Sequence, residues 1–250
     1  MWTRSLLKEN AKQALRGRYW RCFVVCLIVS LLGGGFASYP GVTFEYTVSQ
    51  RSLESWLSRF PLELLLALLW VTIIVSVLAI LWSIFLSSVL AVGGYRYFME
   101  NRQGGSPIDT IFTVFRRPYL NVVKVQFLTT LKILGGCLLL IIPGIYWSYC
   151  YVLVPYLLAE NPYLTTRRAM ELSQQMMDGE KWSYFVLRLS FTGWGLLCLL
   201  TFGIGNYFLA PYIQATMAEF YAAMRAKALS AGFSTTEELG GFVRHDSGSF

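Results

Sequence analysis

The stretch LLLALLWVTIIVSVLAILWSIFLSSVLAVGGY, residues 64–95, decides the fold. It runs for thirty-two residues without Asp, Glu, Lys, Arg or His. A hydrocarbon core about 30 Å thick is crossed by roughly 20 helical residues. This run is too long and too apolar for the core helix of a soluble domain, and other runs of the same kind flank it. The reading is an integral membrane protein, with lipid as the solvent for every later step. Composition agrees: 55% of the 250 residues are hydrophobic and 14% are charged, where an average soluble domain carries about 25% charged residues. Mean hydropathy is +0.50.

Working outward, the chain divides into six apolar spans, at about 21–39, 62–94, 119–142, 145–160, 184–202 and 207–224. The second exceeds the bilayer at 1.5 Å per residue and must tilt, kink or protrude. Along it Thr72, Ser76, Ala79, Ser83 and Ser87 form a stripe of small residues, which permits close helix contact. Residues 40–60 form the longest outer loop. Pro143-Gly144 is read as the turn from the third span into the fourth, and Gly203-Ile204-Gly205-Asn206 as the turn into the sixth.

Three amphipathic segments lie between the spans. Residues 3–20 repeat Leu6, Leu7, Ala11, Ala14 and Leu15 at helical spacing, as a helix lying in the headgroup plane does. Ser106-Pro107 opens a second segment, with Ser at the N-cap and Asp109 near the positive end of the helix. Its apolar face is Ile108, Ile111, Phe112 and Phe115. The third segment, within 161–183, is capped by Thr165 or Thr166 and stopped near Gly179. The expected fold class is all-α: a polytopic membrane helix bundle of six transmembrane helices paired as three hairpins, plus these interfacial helices. Residues 1–225 form one membrane domain, with 1–20 its interfacial helix. Residues 226–250 form a cytosolic C-terminal tail with a frayed end.

The net charge of +7 is unevenly placed. Sixteen Lys and Arg fall before the first span, between spans two and three, between four and five, and after six; two, Arg51 and Arg59, lie in the loop after span one. This asymmetry places both termini in the cytosol of a multi-pass cell-membrane protein. The N-terminal basic region is too long for a secretory signal, so the first span is read as uncleaved. Lys and Arg at span ends set orientation and attract anionic headgroups, which accounts for the basic excess without nucleic acid. The partners expected are the bilayer and its anionic headgroups, with a membrane-protein partner or a homo-oligomer as further options.

Each hairpin is entered through basic and aromatic residues: Arg18-Tyr19-Trp20-Arg21, Arg116-Arg117-Pro118-Tyr119 and Lys181-Trp182-Ser183-Tyr184. Each returns with an acid, Glu100, Glu160 or Glu219. A parallel threefold repeat is one reading; ordinary interface belts, where aromatics and charges gather, are the other.

The five cysteines, Cys22, Cys26, Cys137, Cys150 and Cys198, lie in spans without ligand spacing and read as small hydrophobes. No paired-acid, HExxH, Ser/His or glycine-rich phosphate motif is present, so no catalytic residue, metal ligand or cofactor is expected. The glycine pairs at 93–94 and 135–136 read as helix-packing or hinge sites. Charges inside spans are the candidates for function, because placing them there costs a few kcal/mol. Lys124, Arg188 and Glu219 share a depth within about two turns of an inner span end. They are expected to form one polar cluster, with Glu160 at its rim. Lys132 is about 16 Å from either end of its span, too deep to snorkel easily, and is expected to face the interior or a wet cavity.

The motifs Ile142-Pro143-Gly144-Ile145-Tyr146, Val154-Pro155-Tyr156 through Glu160-Asn161-Pro162, Gly179-Glu180-Lys181-Trp182 and Pro211-Tyr212-Ile213-Gln214 resemble an uncharacterised bacterial membrane family, known only as domain of unknown function 975. The resemblance extends to Lys8, Ala11-Lys12, Leu15-Arg16-Gly17 and Tyr19-Trp20. It covers roughly residues 2–225 and implies a polytopic protein, with no reaction to carry over. The functional expectation is a non-enzymatic membrane protein that organises or accompanies lipids or other membrane proteins. The alternative is a transporter or small-solute pathway with Lys132 in a polar cavity.

Overall fold

The structure is a computed structural model that describes residues 2–33, 61–116, 118–199 and 203–240. Among them every regular element is helical. Three helical stretches are long and apolar enough to cross a membrane: Leu66–Asn101, Tyr119–Leu139 and Ile142–Glu160. Tyr19–Leu32 is equally apolar and shorter. The outer loop expected at 40–60 lies outside the described residues.

Helix α1 (Arg4–Leu15) starts where the Thr3 hydroxyl accepts the Leu6 amide at 3.3 Å. Its stripe of Leu7, Ala11 and Leu15 is buried against the last described helix, α10 (Ile204–Ser230). Gly17, with φ +75°, turns the chain into α2 (Tyr19–Gly33). Cys22, Val25, Cys26 and Val29 form the buried face of α2, so its two cysteines pack as small hydrophobes.

The decisive apolar stretch becomes one continuous rod. It comprises α3 (Leu62–Trp82), a π-helical segment (Ser83–Ser87) and α4 (Ser88–Asn101). At 1.5 Å per residue its length is about 60 Å, twice a hydrocarbon core. The π segment inserts an extra residue into the helical turn and so shifts the facing of everything beyond it. On the α3 side all described side chains from 63 to 83 are exposed; on the α4 side most are buried. Among the described residues, no helix packs over the small-residue stripe at Thr72 or Ser76. Both are exposed, and their hydroxyls donate to Leu69 O at 2.8 Å and Thr72 O at 2.7 Å.

After α4 the chain forms a 3-10 helix (Ile108–Arg116), and here the expected face is corrected. A three-residue turn aligns Ile111 with Val114, both buried, and leaves Phe112 45% exposed. The Ser106 hydroxyl does not cap this helix; it donates to Glu100 Oε2 at 2.9 Å. The Ile111 carbonyl lies against Gly93 Cα, where any Cβ would collide with it.

Helix α5 (Tyr119–Leu139) is followed by α6 (Ile141–Cys150) with only Leu140 between them, in extended backbone at φ −157°. The expected Pro143-Gly144 turn is therefore corrected. Pro143 sits in the first turn of α6, where its missing N–H is no loss. Gly144 instead allows α6 to close on α5, since a Cβ there would strike Cys137.

The expected fourth span is broken at residues 151–153 before α7 (Val154–Glu160). Pro155 has no amide to give the preceding turn, and Val154 N donates to Tyr151 O at 3.1 Å instead, an i to i−3 bond. The break is bridged by Ser173 of α8 (Thr166–Met176), whose Oγ accepts Leu153 N at 3.3 Å and donates to Cys150 O at 2.7 Å. Ser173 is fully buried, so no solvent replaces these bonds. Ser173→Ala is expected to lower stability by about 1–3 kcal/mol, the cost of unsatisfied buried polar groups. A thermal melt in detergent would show it, and a variant melting like the wild type would mean the break is satisfied without Ser173.

Helix α8 is capped as expected by Thr165, which accepts Arg168 N at 3.4 Å, and Gly179 follows it at φ +75°. Helix α9 (Lys181–Leu199) leads toward α10, which begins after Gly203 at φ +84°. The centre of packing is the crossing of α4, α7 and α10. There the Tyr156 ring lies 4.4 Å from Tyr95 and 5.6 Å from Tyr221, between centroids. Helix α10 runs continuously through residue 225, and residues 231–240 fold back onto the bundle.

Candidate functional site: the polar end of the bundle

Two buried carboxylates organise one end of the molecule. Burial of a charged oxygen is costly unless cations and hydrogen-bond donors replace its water. Glu160, at the end of α7, is fully buried as a side chain. It accepts the Tyr221 hydroxyl at 2.5 Å and Arg225 Nε at 2.9 Å. These two donors are one helical turn apart on α10 and so reach the same acid. Arg225 also donates to the Leu239 carbonyl. Glu219, 6% exposed, pairs with Arg102 Nε at 2.6 Å. Arg96 links the two regions: it donates to Ala159 O at 3.0 Å and pairs with Glu100 at 2.8 Å.

The expected cluster is redrawn by this geometry. Glu160 and Glu219 are indeed buried acids at one end of the bundle, but their cations are Arg225 and Arg102. Lys124 is exposed on α5. Arg188 is half-buried on α9. Lys132 is exposed rather than interior; its ammonium lies 4.9 Å from the centroid of the Tyr151 ring and 5.8 Å from that of Trp147. Those π faces supply the partner that the interior was expected to give. Arg102 and Arg225 were read only as topology-setting charges. The legible signal was Tyr221 and Arg225 at i, i+4, two and six residues beyond Glu219.

Beside Glu219 an open cleft of about 450 Å³ runs between α1, the turn at 16–18 and the end of α4. Arg16, Arg18, Arg102, Asn10, Gln13 and Gln103 line it. Arg18 is held in place: its Nη1 donates to Asn101 O at 3.4 Å, and its guanidinium lies against Gly105, where a Cβ would come within 3.1 Å. Gly105 also has φ +98°, a second reason for glycine there. Asn101 Nδ2 donates to Ala14 O at 3.3 Å and ties the end of α4 to α1. A smaller cavity of about 240 Å³ adjoins, sharing Arg102 and Gln103 and adding Arg225.

Residues 231–240 form a strap over the same end. Leu239 is fully buried. Glu238 accepts Arg168 Nε and Nη2, each at 2.8 Å, and Ser234 Oγ at 2.6 Å. Asn161 Nδ2 donates to the Glu238 carbonyl at 3.0 Å. The Arg168 fork holds the Glu238 carboxyl below its ordinary value of 4.5. A depressed acid contributes stability that is present above its ordinary value and lost as pH falls through the lower, folded one. A fluorescent label on a cysteine at Thr236 should therefore gain mobility as pH drops below 4.5. Glu238→Gln should abolish that step, and a step that survives the substitution would assign it to another group.

A family model described as protein of unknown function (DUF975) matches residues 42–228. No curated protein and no solved structure matches the chain.

Proposed function

We propose that this chain, which belongs to the family described as protein of unknown function (DUF975), is a polytopic membrane protein that organises anionic lipids at the cytosolic face. The observation that carries the reading is the basic cleft at the end of a bundle whose longest apolar rod is exposed at every described side chain from 63 to 83. An exposed apolar surface of that length is a surface for lipid or for another spanning helix. The six ion pairs of the described residues all involve segments that the charge asymmetry assigns to the cytosol. That supports six spans in three hairpins, with both termini inside. The role is non-enzymatic, with the bilayer, its headgroups and a second membrane protein or second copy as partners.

The transport reading rested on Lys132 in a polar cavity and on spans interrupted by proline and glycine. Lys132 stands exposed against two rings and lines neither of the two clefts described above, so it lends that reading no support.

The test is the lipid that stays with the protein. Purified in a mild neutral detergent, it should retain anionic phospholipid enriched over the source membrane, measured by mass spectrometry of the extract. Retention in membrane proportions would overturn the reading. Topology is checked by cysteine labelling from outside intact cells. Labels at 45–55 should react and labels at 165–178 should not; the reverse pattern inverts the protein.

A further inference from the structure

The cleft is more specific than a basic surface. Three guanidinium groups line it, those of Arg16, Arg18 and Arg102, together with the amides of Asn10, Gln13 and Gln103. One carboxylate, Glu219, also lines it, and that acid is already committed to Arg102 at 2.6 Å. The balance left to a ligand is two positive charges, carried by Arg16 and Arg18. Arg18 is anchored through Asn101 O and packed on Gly105, so its planar fork is set before any ligand arrives. Such forks match phosphate oxygens, two N–H groups to two oxygens. Arg18 directly precedes Tyr19 and Trp20 in the first turn of α2, and the Trp20 ring is 68% exposed. Exposed aromatics of this kind sit at headgroup level. The cleft therefore opens where lipid phosphates are.

We propose that this cleft seats a doubly charged phosphate group, the phosphomonoester headgroup of an anionic lipid, in preference to the singly charged diester of ordinary phospholipids. The proposal rests on the lipid-organising reading above and deepens it. Arg18 and Arg16 grip the phosphate oxygens. Arg102, held by Glu219, closes the side of the cleft toward α10. The uncharged amides of Asn10, Gln13 and Gln103 are donors that add no further charge. A free phosphate ion offers the same chemistry, and the test separates the two sources.

The full-length protein in neutral detergent is titrated with phosphatidic acid, phosphatidylglycerol or inorganic phosphate, and bound ligand is read by native mass spectrometry. Phosphatidic acid should bind about tenfold more tightly than phosphatidylglycerol, the scale of one charge-assisted hydrogen bond. Arg16→Gln with Arg18→Gln should remove that preference. Removing two arginines elsewhere, Arg4→Gln with Arg167→Gln, both exposed, should leave it intact. Arg16→Gln alone, at an exposed side chain, should weaken the preference without endangering the fold. Inorganic phosphate displacing phosphatidic acid at comparable concentration would assign the seat to a soluble phosphate and overturn the lipid source. Equal binding of both lipids, or equal loss in the two double variants, would overturn the seat and leave only diffuse attraction. If the cleft variant retains anionic lipid like the wild type, the seat fails while the lipid-organising function stands. If the wild type retains no anionic lipid, the function itself fails.

Discussion

Arg225→Met is expected to destabilise the detergent-solubilised protein by about 3–5 kcal/mol, because it strands a fully buried carboxylate. Glu160 would keep only the Tyr221 hydroxyl. The attraction between Glu160 and Arg225 is itself offset by the water both lose, so removing both charges should cost much less than removing one. Arg225→Met combined with Glu160→Gln is therefore expected to recover most of the loss, since the new amide can still accept from Tyr221. Arg225 also holds the Leu239 carbonyl, so part of the single-variant effect belongs to the strap. Truncation after Ser230, made in both backgrounds, separates the two contributions. Thermal melts of the wild type, Arg225→Met, Glu160→Gln and the double variant, together with the truncated forms, decide it. Simply additive losses would mean that Glu160 and Arg225 do not act as a pair.

Gly93→Ala is expected to cost about 2–3 kcal/mol, at the upper end of what overpacking costs, because the atom displaced is backbone. Its Cβ would overlap the carbonyl oxygen of Ile111, and the 3-10 helix would have to move away from α4. Gly135→Ala provides the contrast. No atom lies within 4 Å of its Cβ position, so alanine there should be neutral or stabilising by up to about 1 kcal/mol through helix propensity. The two glycines look alike in sequence, each in an apolar helix and each beside a second glycine. Equal melting shifts for the two variants would refute the close approach at Gly93.

That contrast shows what the sequence made legible. Features encoded by one or two neighbouring residues were readable, the Thr165 cap and the stop at Gly179, whereas the turn expected at 203–206 shrinks to Gly203, because Ile204, Gly205 and Asn206 already belong to α10. Features that depend on helix facing were not. Depth along a span fixes one coordinate of a side chain, and Lys124 has the depth of Glu219 while standing exposed on α5. Partners for the buried acids had to come from residues with the right facing as well, and Arg102 and Arg225 supply it from the ends of α4 and α10. The π segment at Ser83–Ser87 and the break at residues 151–153 were hidden for a related reason. Both sit inside uninterrupted apolar runs, where hydropathy is blind to a change in backbone hydrogen bonding. The Pro143-Gly144 pair misled in the opposite sense: proline in a first helical turn and proline in a loop are the same letter.

The Ser173 bridge imposes an order on biosynthesis. The backbone groups it satisfies, Cys150 O and Leu153 N, are translated about twenty residues before it. During that interval the break carries an open donor and acceptor, which hydrocarbon does not tolerate but water or a protein channel does. On the proposed six-span topology, the 141–160 segment therefore cannot settle against lipid as it emerges. It has to wait in a wet or shielded place until α8 is made, and α6, α7 and α8 then enter their final arrangement as one unit.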